Sequence, residues 1–500
     1  MTTDSEGWKN IQLLLQKLRR NDISITGRDG ELHYQAAIGS FTPDLRDAVS
    51  EAKSALLDEV SEAPYGTTLQ IHDKFRLPMY QWKMWHELID NGDLTEFYSN
   101  RTNFVFKLCG SFSLERFQES LDHITHLYPI IGYRIDRIEG APSFRVSELQ
   151  PIVEYSDKSS DIDSESLETL VKEMVWRPLS VNSGPLMRCG IIKTGPHEYV
   201  VAMVVHHCIA DGQSLSLLIS GFVQQLLIDP QAPTVTQAHA PNYLDYLRMQ
   251  QRWCAGPQGR EARRYWRSQL TSSRKTALPQ RTRRHDRCNS YLRSRKFLLD
   301  PDLWSTVKRL AALWNVTPFA VTLAAYALAM TRISGSSQIT TLVLTSVRNW
   351  IGFELSFGPF NNIFPVNIEF HENVQLHKVA LKVFEMTVAA QPYINYPFDL
   401  MSDDMGVSYN KQFPLFNFMD FPEQSEQKNN PASLSGVISD FPLTVQKTIP
   451  IRGRPLESHY IAIHVMPDHA ECEFRWSPAD HTQRTVSIFI EEFKSALGGY

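Results

Sequence analysis

The stretch "EYVVAMVVHHCIADGQS", Glu198–Ser214, decides how this chain is read. Val200 to Val205 form an unbroken apolar run, the pattern of a strand buried on both faces. Two histidines follow. In a strand with a period of two, His206 falls on the face of Val204 and Ala202, and His207 on that of Val205 and Met203. One imidazole can then face a cavity while the other supports the scaffold. Asp211 and Gly212 permit a sharp turn into the helical segment "SLSLLISGFVQQLL", which Ser214 can cap. A carboxylate at 211 can fix the loop by pairing with an arginine.

A neutral imidazole at a cavity edge suits proton removal from an amine or alcohol, because its ordinary pKa lies near cellular pH. The chain has no serine in a Gly-x-Ser-x-Gly elbow and no His-Glu-x-x-His pair. That leaves direct transfer, in which histidine assists a nucleophile attacking an activated acyl group; no metal is expected. Cys208 is a thiol within the same stretch, but strand alternation points it away from His207, so it reads as buried filler.

Outward from this stretch, the chain is long for one hydrophobic core: its 500 residues point to two or three domains. A net charge of −5 gives no support to a nucleic-acid binder. The start, "MTTDSEGWKN", lacks the basic opening and apolar run of a secretory signal. Pro318 to Met330, the most apolar helical stretch, is too short to span a bilayer and reads as a core helix. Six scattered cysteines without a Cys-x-x-Cys pair suit a reducing cytoplasm. A cytoplasmic monomer with no membrane or nucleic-acid partner is expected.

Residues 1–62 read as a unit of their own. "WKNIQLLLQKLRRN" is an amphipathic helix, and "DISITG" and "ELHYQAA" are strands about the turn "RDG". Thr42-Pro43 starts a second helix, with Leu45, Ala48, Val49, Ala52 and Leu56 on one face. A linker covers 63–76. Helices and strands then mix, with no repeat of 20 to 50 residues. Between Arg252 and Lys296, fourteen Lys/Arg face two acids, giving a local excess of +12. Around Arg281–Arg287 this run offers few aromatics for stacking on bases.

His-His-x-x-x-Asp-Gly resembles the signature of the nonribosomal peptide synthetase condensation domain. The resemblance continues in order through "LPMYQWKMW" (Leu77–Trp85), "SGPLMRCGII", "NYLDYLRMQQ", "RRYWRSQL", "FGPFNNIFPVNI" (Phe357–Ile368), "YPFDLM" and "FPLFNFMDF". It implies an α+β fold of two chloramphenicol-acetyltransferase-like lobes, 77–250 and 251–500, in a V-shaped pseudo-dimer with a tunnel between them. Within it His207 takes the catalytic position, His206 and Asp211 support it, and Gly212 lies near the reacting centre. Ser214 and Asn361 or Asn362 take the tunnel wall. The order helix, hairpin, helix at the N-terminus is similar to the docking domains of the tubulysin-synthetase type. The implied partners are a donor acyl or peptidyl carrier protein, whose acidic C-terminal motif would suit Lys17, Arg19, Arg20 and Arg28, and a carrier-bound or free acceptor. No bound cofactor is implied, only the phosphopantetheine that carriers bring.

One motif departs. The family's Arg-His-x-x-Leu-Arg-Thr is "LYPIIGYR" here, with Leu127 and Gly132 where arginines usually stand. Arg134 and Arg348 remain as partners for Asp211, and an ester-forming alcohol acceptor joins the amine. The epimerisation segment Glu-Gly-His-Gly-Arg-Glu is missing. The plant coenzyme A acyltransferase motif Asp-Phe-Gly-Trp-Gly is replaced by "SFGPFNN". A coenzyme A acyltransferase is the enzymatic rival, and a catalytically dead recruitment platform the other. Because the chain ends soon after the last motif, a condensation enzyme acting in trans through its docking unit is expected.

Overall fold

A computed structural model describes residues 14, 17–18, 23–28, 31–35, 41–60, 75–76, 101–138, 141–159, 162–227, 241–271, 293–350, 352–370, 374–405, 413–420, 438–440, 459–478 and 481–499. The chain forms two compact units. The first gathers residues 1–257, 348–360 and 430–445; the second gathers 258–347, 361–429 and 446–500. The sequence placed its division near 250. It gave no sign that two later segments, 348–360 and 430–445, would join the first unit.

At the N-terminus, β1 (Ser24–Arg28) and β2 (Glu31–Gln35) make an antiparallel hairpin with Arg28 opposite Glu31. The helices Pro43–Glu51 and Lys53–Val60 follow. Thr42 caps the first of them: its hydroxyl accepts the Leu45 N–H at 3.4 Å, and Pro43 needs no partner in the first turn. Leu14, Leu18, Ile23, Ile25, Phe41, Val49 and Leu56 close a core of their own. Leu45, Ala48 and Ala52 pack against it, so the helical stripe read from the sequence faces inward.

The rest of the first unit is built on a five-stranded sheet, in the order β14 (Ile438–Asp440), β4 (Arg101–Cys109), β9 (Glu198–His206), β8 (Met187–Gly195) and β7 (Val153–Asp157). A smaller sheet joins β3 (Phe75–Arg76), β6 (Ala141–Val146) and β5 (Tyr133–Ile138), so the end of the expected linker is a strand. β9 lies between antiparallel β4 and β8, and Tyr199 to His206 are all buried. Helices cover both faces, which is why the strand reads as continuously apolar. On one face Val171 and Val175 of the helix Ser164–Trp176 meet Ile192, Val200, Ala202 and Val204. On the other, Phe117 of the helix Leu114–Leu127 reaches Tyr199 at 5.2 Å and stacks 6.4 Å from Phe222 of the helix Gly212–Leu227. Each fully buried side chain of this size contributes about 1.5–3 kcal/mol of transfer free energy.

The second unit carries a six-stranded sheet in the order β10 (Arg293–Leu299), β16 (Ala470–Trp476), β15 (His459–Val465), β13 (Leu415–Met419), β11 (Gln338–Ser346) and β12 (Asn361–Glu369). β13 runs parallel to β11 and β15, and the other pairs are antiparallel. The helix Pro318–Ser334 starts where Thr317 accepts the Ala320 N–H at 3.2 Å and stops at Gly335, whose φ of +67° suits glycine. Ala320 to Met330 are all buried. Among the described residues no single helix is long and apolar enough to cross a membrane. Among the described residues, Cys109, Cys189, Cys208, Cys254 and Cys472 form no disulfide.

Candidate active site

β9 ends at His206, whose N–H donates to the Leu186 carbonyl at 2.9 Å. His207 to Ile209 form a turn, closed by the Ile209 N–H on the His206 carbonyl at 3.0 Å. The expected strand alternation therefore stops one residue early: the turn, not the pleat, directs His207. His206 is fully buried, as are Cys208, Ile209, Ala210 and Asp211. His207 is partly exposed and Gly212 exposed. From His206 to Gly212, His207 is thus the one titratable side chain that solvent reaches. Among the described residues no hydrogen bond occupies its ring.

Asp211, 2% exposed, anchors the loop. Its Oδ1 accepts the Ser214 N–H at 2.9 Å, so Asp211 rather than Ser214 caps the helix Gly212–Leu227. Arg348, buried as well, donates from Nη1 to Oδ2 at 2.5 Å and from Nη2 to Oδ1 at 2.8 Å. The Phe360 N–H donates to Oδ2 at 3.0 Å. Such a bidentate pair, satisfied by further donors, is the form in which a buried carboxylate survives desolvation. The guanidinium extends the brace: Nη2 also donates to Ser214 Oγ at 2.9 Å and the Gly358 carbonyl at 3.1 Å, and Nε to the Ser356 carbonyl at 3.3 Å. Its carbon lies 4.3 Å from the Phe360 ring centroid, a cation–π distance.

Ser214 does not line an open wall. It is fully buried, and its hydroxyl accepts the Gly358 N–H at 3.0 Å within the same brace. Gly358 has to be glycine here, since a Cβ would lie 2.3 Å from the buried Tyr243 ring. Gln213 adds a second tie, donating to the Glu354 carbonyl at 2.9 Å. The segment 352–360 was not legible as part of the loop's support, because it acts mainly through backbone groups; the glycine in "FGPF" was its one signal. Arg134, the other arginine offered for Asp211, donates instead to the Asn182 carbonyl at 3.3 Å. Leu127, from the departed motif, lines a cavity of about 150 Å³ with Tyr128, Ile130, Tyr243 and Phe357.

Asn361 and Asn362 open β12 in the second unit. Asn362 is a brace: its Nδ2 donates to the Ile394 and Tyr396 carbonyls at 2.5 and 2.9 Å, and its Oδ1 accepts the Phe398 N–H at 3.0 Å. Asn361 is partly buried, and among the described residues no side-chain hydrogen bond engages it. Of the residues expected at a docking surface, Lys17 is exposed and Arg28 ends β1. Arg19, Arg20, the motif Leu77–Trp85 and the basic run 281–287 lie outside the described residues.

Residues 79–498 match the Condensation domain family, and residues 11–59 the TubC N-terminal docking domain. A linear gramicidin synthase from Brevibacillus parabrevis is 25% identical over 59% of the chain, and a plipastatin synthase from Bacillus subtilis 26% over 66%. The matched regions are only 6% and 9% of those two proteins' lengths. Among solved structures, the condensation domain of the Monacolin K polyketide synthase MokA superposes with a TM-score of 0.70 at 16% identity, covering 85% of this chain and 96% of that one. A condensation domain that mediates chain release from the enacyloxin polyketide synthase gives 0.64 at 18%, covering 98% and 96%. The chain belongs to the condensation domain family and carries a TubC N-terminal docking domain at residues 11–59.

Proposed function

We propose that this protein transfers an acyl group from the phosphopantetheine thioester of a carrier protein to an amine or hydroxyl acceptor, forming an amide or an ester. The observation that carries the reading is the histidine loop. It holds one solvent-reached imidazole, His207, on a turn whose far end is tied to Arg348 by a buried bidentate pair. Such a ring accepts the acceptor's proton, or aligns its lone pair, as the nucleophile attacks the thioester carbonyl. The C–S bond then breaks and the carrier thiol leaves with the proton. Phosphopantetheine arrives as part of the substrate, so the chain's own task is to orient and to move one proton.

The N-terminal unit serves recruitment in this reading. Among the described residues, both strands of the β1–β2 hairpin keep one edge unpaired in their two-stranded sheet, and an extended acidic tail can add there as a further strand. Lys17 and the positions of Arg19, Arg20 and Arg28 supply the matching charge. Docking raises the local concentration of the loaded carrier. Because Leu127 and Gly132 replace the family's usual arginines, the acceptors include alcohols as well as amines.

The test supplies the same acyl group on a carrier protein bearing an acidic C-terminal tail and on coenzyme A, each with a panel of amines and alcohols, and follows product by mass spectrometry. The carrier donor is expected to turn over at least tenfold faster at equal concentration. Removing residues 1–60 should raise the carrier KM while leaving kcat, with excess carrier restoring the rate. Efficient turnover from coenzyme A alone would replace carrier-borne transfer by the rival reading.

A further inference from the structure

The thiol inside the histidine loop has no part in the transfer as proposed, and its surroundings give it one. Cys208 Sγ lies 2.8 Å from His206 Nδ1, and the Cys208 backbone N–H donates to that same nitrogen at 3.2 Å. A ring nitrogen that accepts a backbone N–H carries no proton of its own, so a neutral imidazole must hold its proton on Nε2. The ring is fully buried, which opposes the charged imidazolium. Burial likewise pushes the Cys208 thiol up, so the sulfur keeps its hydrogen and acts as the second donor to Nδ1. Both donors belong to the residue immediately after His207. The turn that presents His207 is therefore hung on the ring before it.

We propose that Cys208 is a positioning residue: its thiol and N–H hold His206 as the neutral Nε2–H tautomer, and the ring in turn fixes the turn that aims His207. The inference rests on the reading of His207 as the residue that serves the transfer. It also explains the different jobs of the two histidines in atomic terms. With its Nδ1 lone pair engaged inside the protein, His206 is no proton acceptor for substrate, and His207 is. A serine at 208 retains a side-chain donor, whereas alanine and valine retain only the backbone N–H.

The full-length protein labelled with 15N-histidine tests this directly, the His206 signals being assigned by their loss in a His206→Asn variant. Between about pH 6 and 8 the expected spectrum shows an unprotonated Nδ1 and a protonated Nε2. Cys208→Ala and Cys208→Val should lower kcat about fivefold, the scale of one hydrogen bond, with donor KM unchanged. In both, the Nδ1 signal should move, and Cys208→Ser should recover kcat to within about twofold of wild type. A protonated Nδ1 in the wild type overturns the proposal whether or not any variant folds. So does a Cys208→Ala enzyme with wild-type kcat, or a serine variant no better than alanine. If His207→Ala were fully active, the reading of His207 as the residue that serves the transfer would fail while the tautomer measurement still stood.

Discussion

At the scale of single residues, the brace on Asp211 makes the sharpest demand. Arg348 is committed to that carboxylate through two nitrogens and to three further oxygens, all inside the protein. Arg348→Met would leave a buried carboxylate without its counter-charge, a change that typically costs about 3–5 kcal/mol. The expected outcome is a loss of that size in urea unfolding and a fall in kcat, because the same carboxylate caps the helix behind the histidine loop. A loss under about 1 kcal/mol would mean the pair is peripheral. The motif residues His207 and Asp211 were named from the sequence, and Arg348 only as one of two arginines offered for Asp211; the structure pairs Asp211 with Arg348. What escaped was support from peptide groups, the Gly358 and Ser356 carbonyls and the Phe360 N–H, which leave no mark on residue type. Strand alternation, sound for Val204 and Ala202, gave the wrong physical reason for His207, since the strand ends one residue before it.

Elements show the same division between local and distant information. Helix starts were readable because a cap is a local event: Thr42 and Thr317 each precede a proline and each accept an N–H three residues on. How the carbonyls at the C-terminal end of the helix Ser164–Trp176 are satisfied was not. Arg188 from β8 donates to the carbonyls of Met174 and Arg177, each at 2.9 Å, and of Pro178 at 3.0 Å. A cation at a helix C-terminus also meets the negative end of the dipole. Arg188→Met keeps most of the stem but strands three carbonyls, and should cost about 2–4 kcal/mol. Differential urea unfolding of the two proteins checks this, and equal midpoints would show that water replaces the guanidinium. β14 illustrates the harder limit. It pairs Ile438 with Leu108 across more than three hundred residues of sequence, and nothing in a three-residue strand announces so remote a partner.

For the whole molecule, the second unit adds a pH dependence that is separate from catalysis. His459 is buried beside His481, with Phe474 stacked 5.1 Å away and the Tyr326 hydroxyl 2.9 Å from its Nε2. Desolvation, and secondarily His481, holds its pKa well below the ordinary 6.5. The folded chain therefore binds fewer protons than the unfolded chain below pH 6.5, and stability falls as pH drops from there toward the folded pKa. This one group contributes at most about 1.4 kcal/mol per pH unit and no slope above that range. His459→Gln should flatten the difference between unfolding midpoints at about pH 7.5 and pH 5.5; an unchanged difference would locate the sensitivity elsewhere. Length pointed to two or three domains and patterning to a separate N-terminal unit; the chain divides into two compact units, the first of which includes the N-terminal residues. The capture of residues 348–360 and 430–445 by the first unit was not foreseen, because it depends on tertiary pairing. All of this architecture serves one claim, that His207 assists attack on a carrier-bound thioester. The direct measurement is single-turnover mass spectrometry with a loaded carrier and excess acceptor, comparing wild type with His207→Ala at matched folded concentration. The account predicts a rate lower by about 10²–10⁴-fold, the usual worth of a positioned acid–base group, with carrier binding preserved. Equal rates for the two proteins would contradict it.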